Sequence, residues 1–190
     1  MILPKVYRKW YTFGMSYYDD IYEAAVDAHY LITTTEAAGL GVPGIELVKL
    51  ARRGRLEALG NGVYRLARYV PSEADSYALA VARVGVGAYL WGESVIALLG
   101  LAPTNPDRIF VATPRRVRRR LPKEVVIVRA PDRERLTKYE GVSCQRVCRA
   151  ILACRDSVMT ERLRQAARRA RAEGYVTAVE EDELKEELGW

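Results

Sequence analysis

The fold of this chain is decided by residues 31–66, which read LITTTEAAGLGVPGIELVKLARRGRLEALGNGVYRL. Thr33 and Glu36 have the spacing of a capping box, in which the Thr hydroxyl and the Glu carboxylate each satisfy a backbone donor at a helix start. We therefore predict a short helix from Thr34 to Ala38. Glycines at positions 39 and 41 end this helix, because glycine tolerates the left-handed conformation at a helix terminus.

A second helix follows this turn. Pro43 suits the first position of a helix, and Gly54 stops the helix after Arg53. The apolar residues are spaced to cover a broad inner face, made of Ile45, Leu47, Val48, Leu50 and Ala51. The outer face is mostly basic and consists of Glu46, Lys49, Arg52 and Arg53.

A two-stranded hairpin is predicted next. Leu56 to Leu59 and Val63 to Leu66 are strand candidates, joined by the turn Gly60-Asn61-Gly62, whose residues accept positive φ. This order is typical of a winged helix-turn-helix, in which the second helix and the hairpin, or wing, can both contact duplex DNA. The predicted DNA-binding residues are Thr34, Thr35, Gly44, Lys49, Arg52, Arg53, Arg55, Asn61 and Arg65.

The flanking sequence divides the chain into two domains. Ser16 and Asp19 form another capping box that opens a first helix, after an aromatic arm at residues 1–15. Pro71 interrupts any strand, and Ser72 begins a new helix. We therefore predict an amino-terminal winged helix-turn-helix domain at residues 1–70 and a second domain at residues 71–190.

The second domain is predicted to combine a small β-sheet with helices, so that the whole chain is α+β. Apolar runs indicate strands at Arg108–Ala112 and Val125–Val128. Helices are predicted at Tyr77–Val84 and Ser94–Leu99, and in a carboxy-terminal tail at Ser143–Ala153, Ser157–Ala172 and Val176–Leu188.

Composition and charge restrict the class of protein. No apolar run approaches the roughly 20 residues that span a bilayer, and the amino terminus lacks a secretory signal, so we expect a cytoplasmic protein without a membrane partner. The net charge of the 190 residues is +6, yet residues 113–171 alone contain 18 Lys and Arg against 6 Asp and Glu. The positive charge is therefore concentrated in one part of the chain.

An arginine cluster lies within this basic stretch, at Arg115, Arg116, Arg118, Arg119 and Arg120. One interpretation is a solvated loop whose arginines pair with the acidic tail at residues 180–183. The other is a patch that contacts phosphate, on flanking DNA or on a nucleic acid shared with another protein. The residues leave both interpretations open.

Other chemistry has little support in the sequence. His29 is the only histidine, and Cys144, Cys148 and Cys154 lack the paired C-x2-C spacing of strong zinc motifs, so we predict neither a metal site nor a cofactor. Pro131-Asp132 and Glu183-Leu184-Lys185 superficially match a PD…ExK nuclease pattern. Its metal chemistry needs these groups on adjoining strands, whereas Glu183 lies in a predicted helix. We therefore expect no enzymatic activity and no catalytic residue.

Four segments, taken in order, resemble the AbiEi family of antitoxins. ARRGRLEALGNGVYRL at residues 51–66 resembles the wing of that family. LWGESVIALLGL at 90–101, RIFVATPRRVRRR at 108–120 and VVIVRAP at 125–131 resemble its carboxy-terminal domain. The ordered set is more specific than any one segment.

The resemblance implies a function as well as a fold. It implies a type IV toxin–antitoxin system, in which the winged helix represses its own promoter by binding inverted repeats in double-stranded DNA. The carboxy-terminal domain then antagonises a nucleotidyltransferase-like toxin, without the need for a stable complex. The arginine cluster is the candidate antitoxic patch.

Two alternatives to this repressor and antitoxin stay open. The first is a stand-alone winged-helix transcriptional regulator without a toxin partner. The second is a nuclease-like enzyme. A neighbouring gene for a nucleotidyltransferase would favour the antitoxin over the first alternative, and metal-dependent cleavage of DNA would favour the second.

Overall fold

A computed structural model describes residues 16–104, 107–130 and 134–190. The predicted amino-terminal arm at residues 1–15 lies outside the described residues. The chain forms two compact units, the first ending at Val70 and the second beginning at Pro71. Each unit combines helices with one β-sheet, which confirms the predicted α+β class.

Three helices and a three-stranded sheet make up the described part of the first unit. In chain order they are α1 (Tyr17–Val26), β1 (Leu31–Thr33), α2 (Thr34–Gly39), α3 (Gly44–Arg52), β2 (Leu56–Gly60) and β3 (Val63–Leu66). The sheet order is β1-β3-β2, and both pairings are antiparallel. The predicted helices and hairpin are confirmed, but β1 was not predicted.

The capping box before α2 forms as predicted. The Thr33 hydroxyl accepts a hydrogen bond from the Glu36 backbone N–H at 3.1 Å, and the Glu36 carboxylate accepts one from the Thr33 backbone N–H at 2.8 Å. These bonds satisfy two donors that the helix start would leave unpaired. Pro43 lies one position earlier than predicted, as the N-cap of α3 rather than its first residue.

The core of the first unit fixes how α3 is rotated. Its buried members come from all three helices, the turn between α2 and α3, β1 and the hairpin, and are Ile21, Ala25, Ile32, Ala37, Val42, Leu47, Leu56 and Leu66. The prediction that Ile45 faces inward is wrong, since Ile45 is 59% exposed whereas Leu47 is 0% exposed. Helical geometry separates these two residues by about 200° around the axis, so burying one exposes the other.

The second unit is built around a five-stranded mixed sheet. Its elements are α4 (Asp75–Val84), β4 (Tyr89–Leu90), α5 (Glu93–Leu98), β5 (Ile109–Thr113), β6 (Val125–Arg129), β7 (Leu136–Tyr139), β8 (Val142–Gln145), α6 (Val147–Ala153), α7 (Thr160–Ala172) and α8 (Ala178–Leu188). The strand order is β6-β5-β4-β8-β7. The pairs β5–β6 and β4–β8 are parallel, and the others are antiparallel.

One predicted helix begins too early. Ser143 was placed in a helix, but it lies in β8, and α6 starts only at Val147. A tight turn with positive φ at Glu140 and Gly141 joins β7 to β8, and Cys144 lies beside Leu90 of β4 in the sheet. Strand β8 therefore pairs along its length with its neighbour β7 and also contacts β4, which is far away in sequence.

The three carboxy-terminal helices pack together through small and apolar side chains. Helix α8 packs against α6 and α7, and Leu184 of α8 is fully buried. Glu180 links the start of α8 to Arg146, the residue before α6. Its carboxylate accepts hydrogen bonds from the Thr177 backbone N–H at 2.9 Å and from the Arg146 guanidinium at 2.6 Å.

Replacement of Glu180 by Gln should destabilise the second unit by about 1 kcal/mol at pH 7, because Gln can still accept the capping hydrogen bond but loses the negative charge that pairs with Arg146 and favours the helix start. Hydrogen bonds from Thr177 and the charge of Arg146 lower the pKa of the Glu180 carboxyl. The stabilisation is thus present above the ordinary Glu pKa of about 4.3 and is lost as the pH falls through the lower folded-state value. Urea unfolding at pH 7 and pH 3 measures the difference.

Glu183→Gln is the matched control, since Glu183 is an exposed residue of the same helix. We expect it to change the free energy of unfolding by less than about 0.5 kcal/mol. An E180Q variant as stable as the wild type at pH 7, or destabilised equally at both pH values, would contradict the stabilising role of the Glu180 charge.

Candidate nucleic-acid interface

The exposed face of α3 carries three cations. Lys49, Arg52 and Arg53 are all exposed. The Lys49 ammonium is 2.7 Å from the Glu46 carboxylate, so one positive charge is partly offset. The side chains of Arg52 and Arg53 form no ion pair with the rest of the chain that the structure describes. This end of α3 therefore presents two uncompensated guanidinium groups, which suit phosphate or guanine.

The start of α3 is open and apolar. Gly44 is exposed, and a Cβ atom built on it would meet no atom within 4 Å. The next residue, Ile45, is also exposed, as described above. The Glu46 carboxylate, by contrast, is only 24% exposed and is held by Lys49. Among the described residues, a ligand approaching this end of the helix would thus meet the open position at Gly44 and the exposed side chain of Ile45.

The hairpin is tied to the start of α2. The Thr34 backbone N–H donates to the Gly62 carbonyl at 2.9 Å. Gly62 has φ +75°, and a Cβ there would lie 2.9 Å from the Thr34 hydroxyl oxygen. Only glycine fits this position without a shift. The hairpin turn with Asn61 is therefore fixed beside Thr34 and Thr35, which the structure places at the exposed first turn of α2.

Two of the predicted DNA-binding arginines are engaged within the first unit. Arg65 donates two hydrogen bonds to the Glu57 carboxylate, at 2.7 and 3.2 Å, and its guanidinium lies 4.1 Å from the centre of the Tyr69 ring. Its side chain is only 19% exposed. The Arg55 guanidinium lies 4.8 Å from the centre of the Tyr18 ring. Arg65 thus joins the two strands of the hairpin, whereas Arg52 and Arg53 stay available.

The arginine cluster forms the exposed connection between the parallel strands β5 and β6. Arg115, Arg116, Arg118, Arg119 and Arg120 are all exposed. The Arg115 backbone N–H donates to the Thr113 hydroxyl at 3.2 Å, and the Arg119 guanidinium donates to the Arg83 carbonyl in the last turn of α4 at 3.2 Å. These two bonds attach the connection to the second unit and leave its other arginines in solvent.

The acidic tail, which the sequence offered as a partner for this cluster, has other contacts. Glu180 pairs with Arg146. Glu181 lies 3.7 Å from Arg171 and 3.5 Å from Lys185, and Asp182 lies 3.0 Å from Lys185. Arg146, Arg171 and Lys185 therefore compensate much of the negative charge in the first turns of α8. This arrangement is consistent with a solvated cluster or with a cluster that binds an external anion.

Features linked to other chemistry are dispersed or lie outside the described residues. Pro131 and Asp132 of the nuclease-like pattern lie outside them, and Lys185 is paired on α8 as above. No three His, Cys, Asp or Glu side chains come close enough to hold a metal ion within residues 16–104, 107–130 and 134–190. None of the helices described there is long and apolar enough to cross a bilayer.

Sequence reasoning missed the exposure of Ile45 and the link between Thr34 and Gly62. The exposure of Ile45 could have been predicted from helical periodicity. If Leu47, Leu50 and Ala51 define the buried stripe, Ile45 falls outside it. The second had no signal in the sequence, because it depends on how the hairpin returns past α2.

Comparisons with known proteins bear on the first unit. Residues 19–67 match the model of a protein family described as "Transcriptional regulator, AbiEi antitoxin", which confirms the predicted resemblance to AbiEi antitoxins. No curated protein matches the chain. The crystal structure of the RV2827C protein from Mycobacterium tuberculosis is similar with a TM-score of 0.38 and 15% identity, over 90% of this chain and 81% of that chain. A likeness of this degree does not establish a shared fold or function.

The three thiols should be inert in the folded protein. Burial raises the pKa of the Cys144 and Cys154 thiols to about 12, and burial with the nearby Glu180 and Glu183 raises the pKa of Cys148. Because the thiolate is the reactive form, a disulfide reagent at pH 8 should label none of them in native protein and all three in urea. Rapid labelling before unfolding would contradict the buried positions.

Proposed function

We propose that this chain, with its AbiEi-type amino-terminal segment, is an antitoxin that also represses its own promoter. The first unit is a winged helix-turn-helix that binds double-stranded DNA, with inverted repeats as its operator. The second unit antagonises a nucleotidyltransferase-like toxin, in the type IV manner that needs no stable complex between the two proteins. The protein acts in the cytoplasm and uses no cofactor.

One observation carries the DNA-binding half of this proposal. Arg52 and Arg53 lie side by side at the exposed end of α3 without an acidic partner in the described chain. Guanidinium groups lose little by desolvation against phosphate and gain two hydrogen bonds in a fixed geometry. A helix-turn-helix places its second helix in the major groove, where such groups meet base edges and the flanking phosphates.

The remaining residues of the first unit have supporting roles in this proposal. Thr34 and Thr35 donate hydrogen bonds to phosphate from the first turn of α2. Asn61, at the hairpin turn beside them, reaches the adjacent backbone or minor groove. Arg65 keeps the hairpin in position through Glu57 rather than by contact with DNA, which is a different role from the predicted one. Arg55 and Gly44 lie near the ends of α3 and complete the surface.

The arginine cluster is the proposed antitoxic patch of the second unit. It is exposed and attached at Thr113 and Arg83, and the acidic residues Glu180, Glu181 and Asp182 of the tail have other cationic partners. A nucleotidyltransferase acts on phosphate-bearing substrates, so a dense row of guanidinium groups can compete for such a substrate or hold it.

Duplex binding should depend steeply on salt. If about six basic groups contact phosphates, log K should fall with a slope near −5 against log of the salt concentration. The double replacement of Arg52 and Arg53 by Ala should weaken binding and reduce the magnitude of the slope by about 2, since each lost phosphate contact contributes about 0.9. Fluorescence anisotropy with the promoter duplex at several salt concentrations measures both.

Arg162 and Arg168 provide the control for the loss of charge. Both are exposed on α7 in the second unit, so their double replacement by Ala removes the same net charge from a different surface. We expect wild-type affinity and slope. Equal effects from the two double variants would show that total charge, not the face of α3, governs binding. A wild-type protein that binds no duplex at low salt would contradict the DNA-binding proposal.

The antitoxic patch is tested by reversing charge at Arg116, Arg118 and Arg120 to Glu. This choice leaves Arg119, which is bonded to the Arg83 carbonyl, in place. Co-expression with the neighbouring toxin should show loss of protection, while a promoter reporter should show normal repression. The control reverses Arg149, Arg162 and Arg168, which are exposed on α6 and α7. Full protection by the first variant would exclude the cluster.

A further inference from the structure

We infer that Ile45 recognises the 5-methyl group of thymine in the major groove and so contributes to the choice of DNA sequence. This inference rests on the DNA-binding half of the proposed function. In this inference, the start of α3 makes an apolar contact with the edge of a base, whereas the basic end of α3 contacts phosphates.

The side chain of Ile45 does not serve the core. It is 59% exposed and is absent from the buried cluster and from the partly buried residues that pack against that cluster. Ile is among the residues most often fully buried in proteins. Ile45 therefore exposes apolar surface to water and gains no packing in the core. A bound ligand could bury this surface.

Ile45 lies on the face of α3 that we assign to DNA. Lys49 and Arg52 are four and seven residues further on, and both are exposed. Residues at these spacings share one face of a helix. The exposed face therefore reads apolar at its start and basic towards its end. In helix-turn-helix proteins the first residues of the second helix contact base edges, whereas the cations suit the backbone.

At the start of α3, the side chain of Ile45 is the main group available to contact a ligand. Gly44 offers no side chain and has open space around its Cα. The Glu46 carboxylate is engaged by Lys49 at 2.7 Å, which lowers its tendency to seek a base amino group. The apolar branch of Ile45 cannot form a hydrogen bond, so its favourable target is an apolar one.

The major groove displays one natural apolar group, the C5-methyl of thymine. Burial of a group of this size against an aliphatic side chain changes affinity by about fourfold, from about 0.8 kcal/mol per buried methylene-sized group. This contact favours A·T pairs at the positions that Ile45 reaches, without the geometric demands of a bidentate hydrogen bond.

The test replaces thymine by deoxyuridine, which removes the methyl group and leaves every hydrogen-bonding atom in place. The probe is the tightest duplex recovered by the full chain from a randomised pool, with each thymine replaced in turn. We expect a loss of about fourfold in affinity at one or two positions for the wild type. Ile45→Ala should bind the thymine duplex about fourfold more weakly and show no further loss with deoxyuridine at those positions.

Three comparisons separate recognition of the thymine methyl group from a general loss of DNA affinity. Ile45→Ala removes no charge, so the salt slope should equal that of the wild type, whereas loss of the docking geometry would lower it. Val179→Ala truncates a comparably exposed apolar residue in the second unit, at 69% exposure, and should keep the full sensitivity to deoxyuridine. Ile45→Val should retain part of it, because one branch of the side chain remains.

The outcomes distinguish this inference from the proposal on which it rests. Failure of the wild type to bind any duplex would overturn both. Duplex binding with a normal salt slope but no effect of deoxyuridine would overturn the role of Ile45 alone. The same would follow from an effect of equal size in the wild type and in Ile45→Ala. If Ile45→Ala folds poorly, Ile45→Val provides the comparison, and an undiminished effect of deoxyuridine in that variant would likewise overturn the role of Ile45.

Discussion

The burial of Leu47 is the constraint on which the surface of the first unit depends. This side chain is fully buried in the core of the unit, where α3 packs against α2 and β2, and it fixes the rotation of α3. A rotation of the helix by even one residue position, about 100°, would expose Leu47 and present a different set of side chains. The cations of α3 and the exposed Ile45 are thus consequences of packing on the opposite side of the helix.

A second set of contacts positions the hairpin relative to the helices. The backbone bond from Thr34 to Gly62 joins the start of α2 to the hairpin turn, and the Arg65–Glu57 pair joins its two strands. The ion pair is only partly exposed, so solvent screens it less than an open surface pair. Arginine therefore has two uses in this unit, since some residues build the hairpin while others remain available to a ligand.

Charge in the second unit is also divided between structure and an external surface. Arg146 before α6, Arg155 after α6 and Arg171 of α7 pair with glutamates of the acidic helix α8. The arginine cluster lies elsewhere, on the connection between β5 and β6. Net charge alone could not separate these two groups, because both contribute equally to the basic stretch of the sequence. The two groups of arginines are distinguished by their partners in the structure.

The sequence by itself determined the features that depend on neighbours within a few residues. The capping box of Thr33 and Glu36, the glycine turns and most helices are of this kind, since each follows from local hydrogen bonds and periodicity. Tertiary structure alone decided the short strands β1 and β8 and the helical phase that exposes Ile45. Strands of three or four residues depend on their partners in the sheet, which for β1 is the distant β3 and for β8 are its neighbour β7 and the distant β4. The phase of a helix is set by which of several apolar residues finds space in the core.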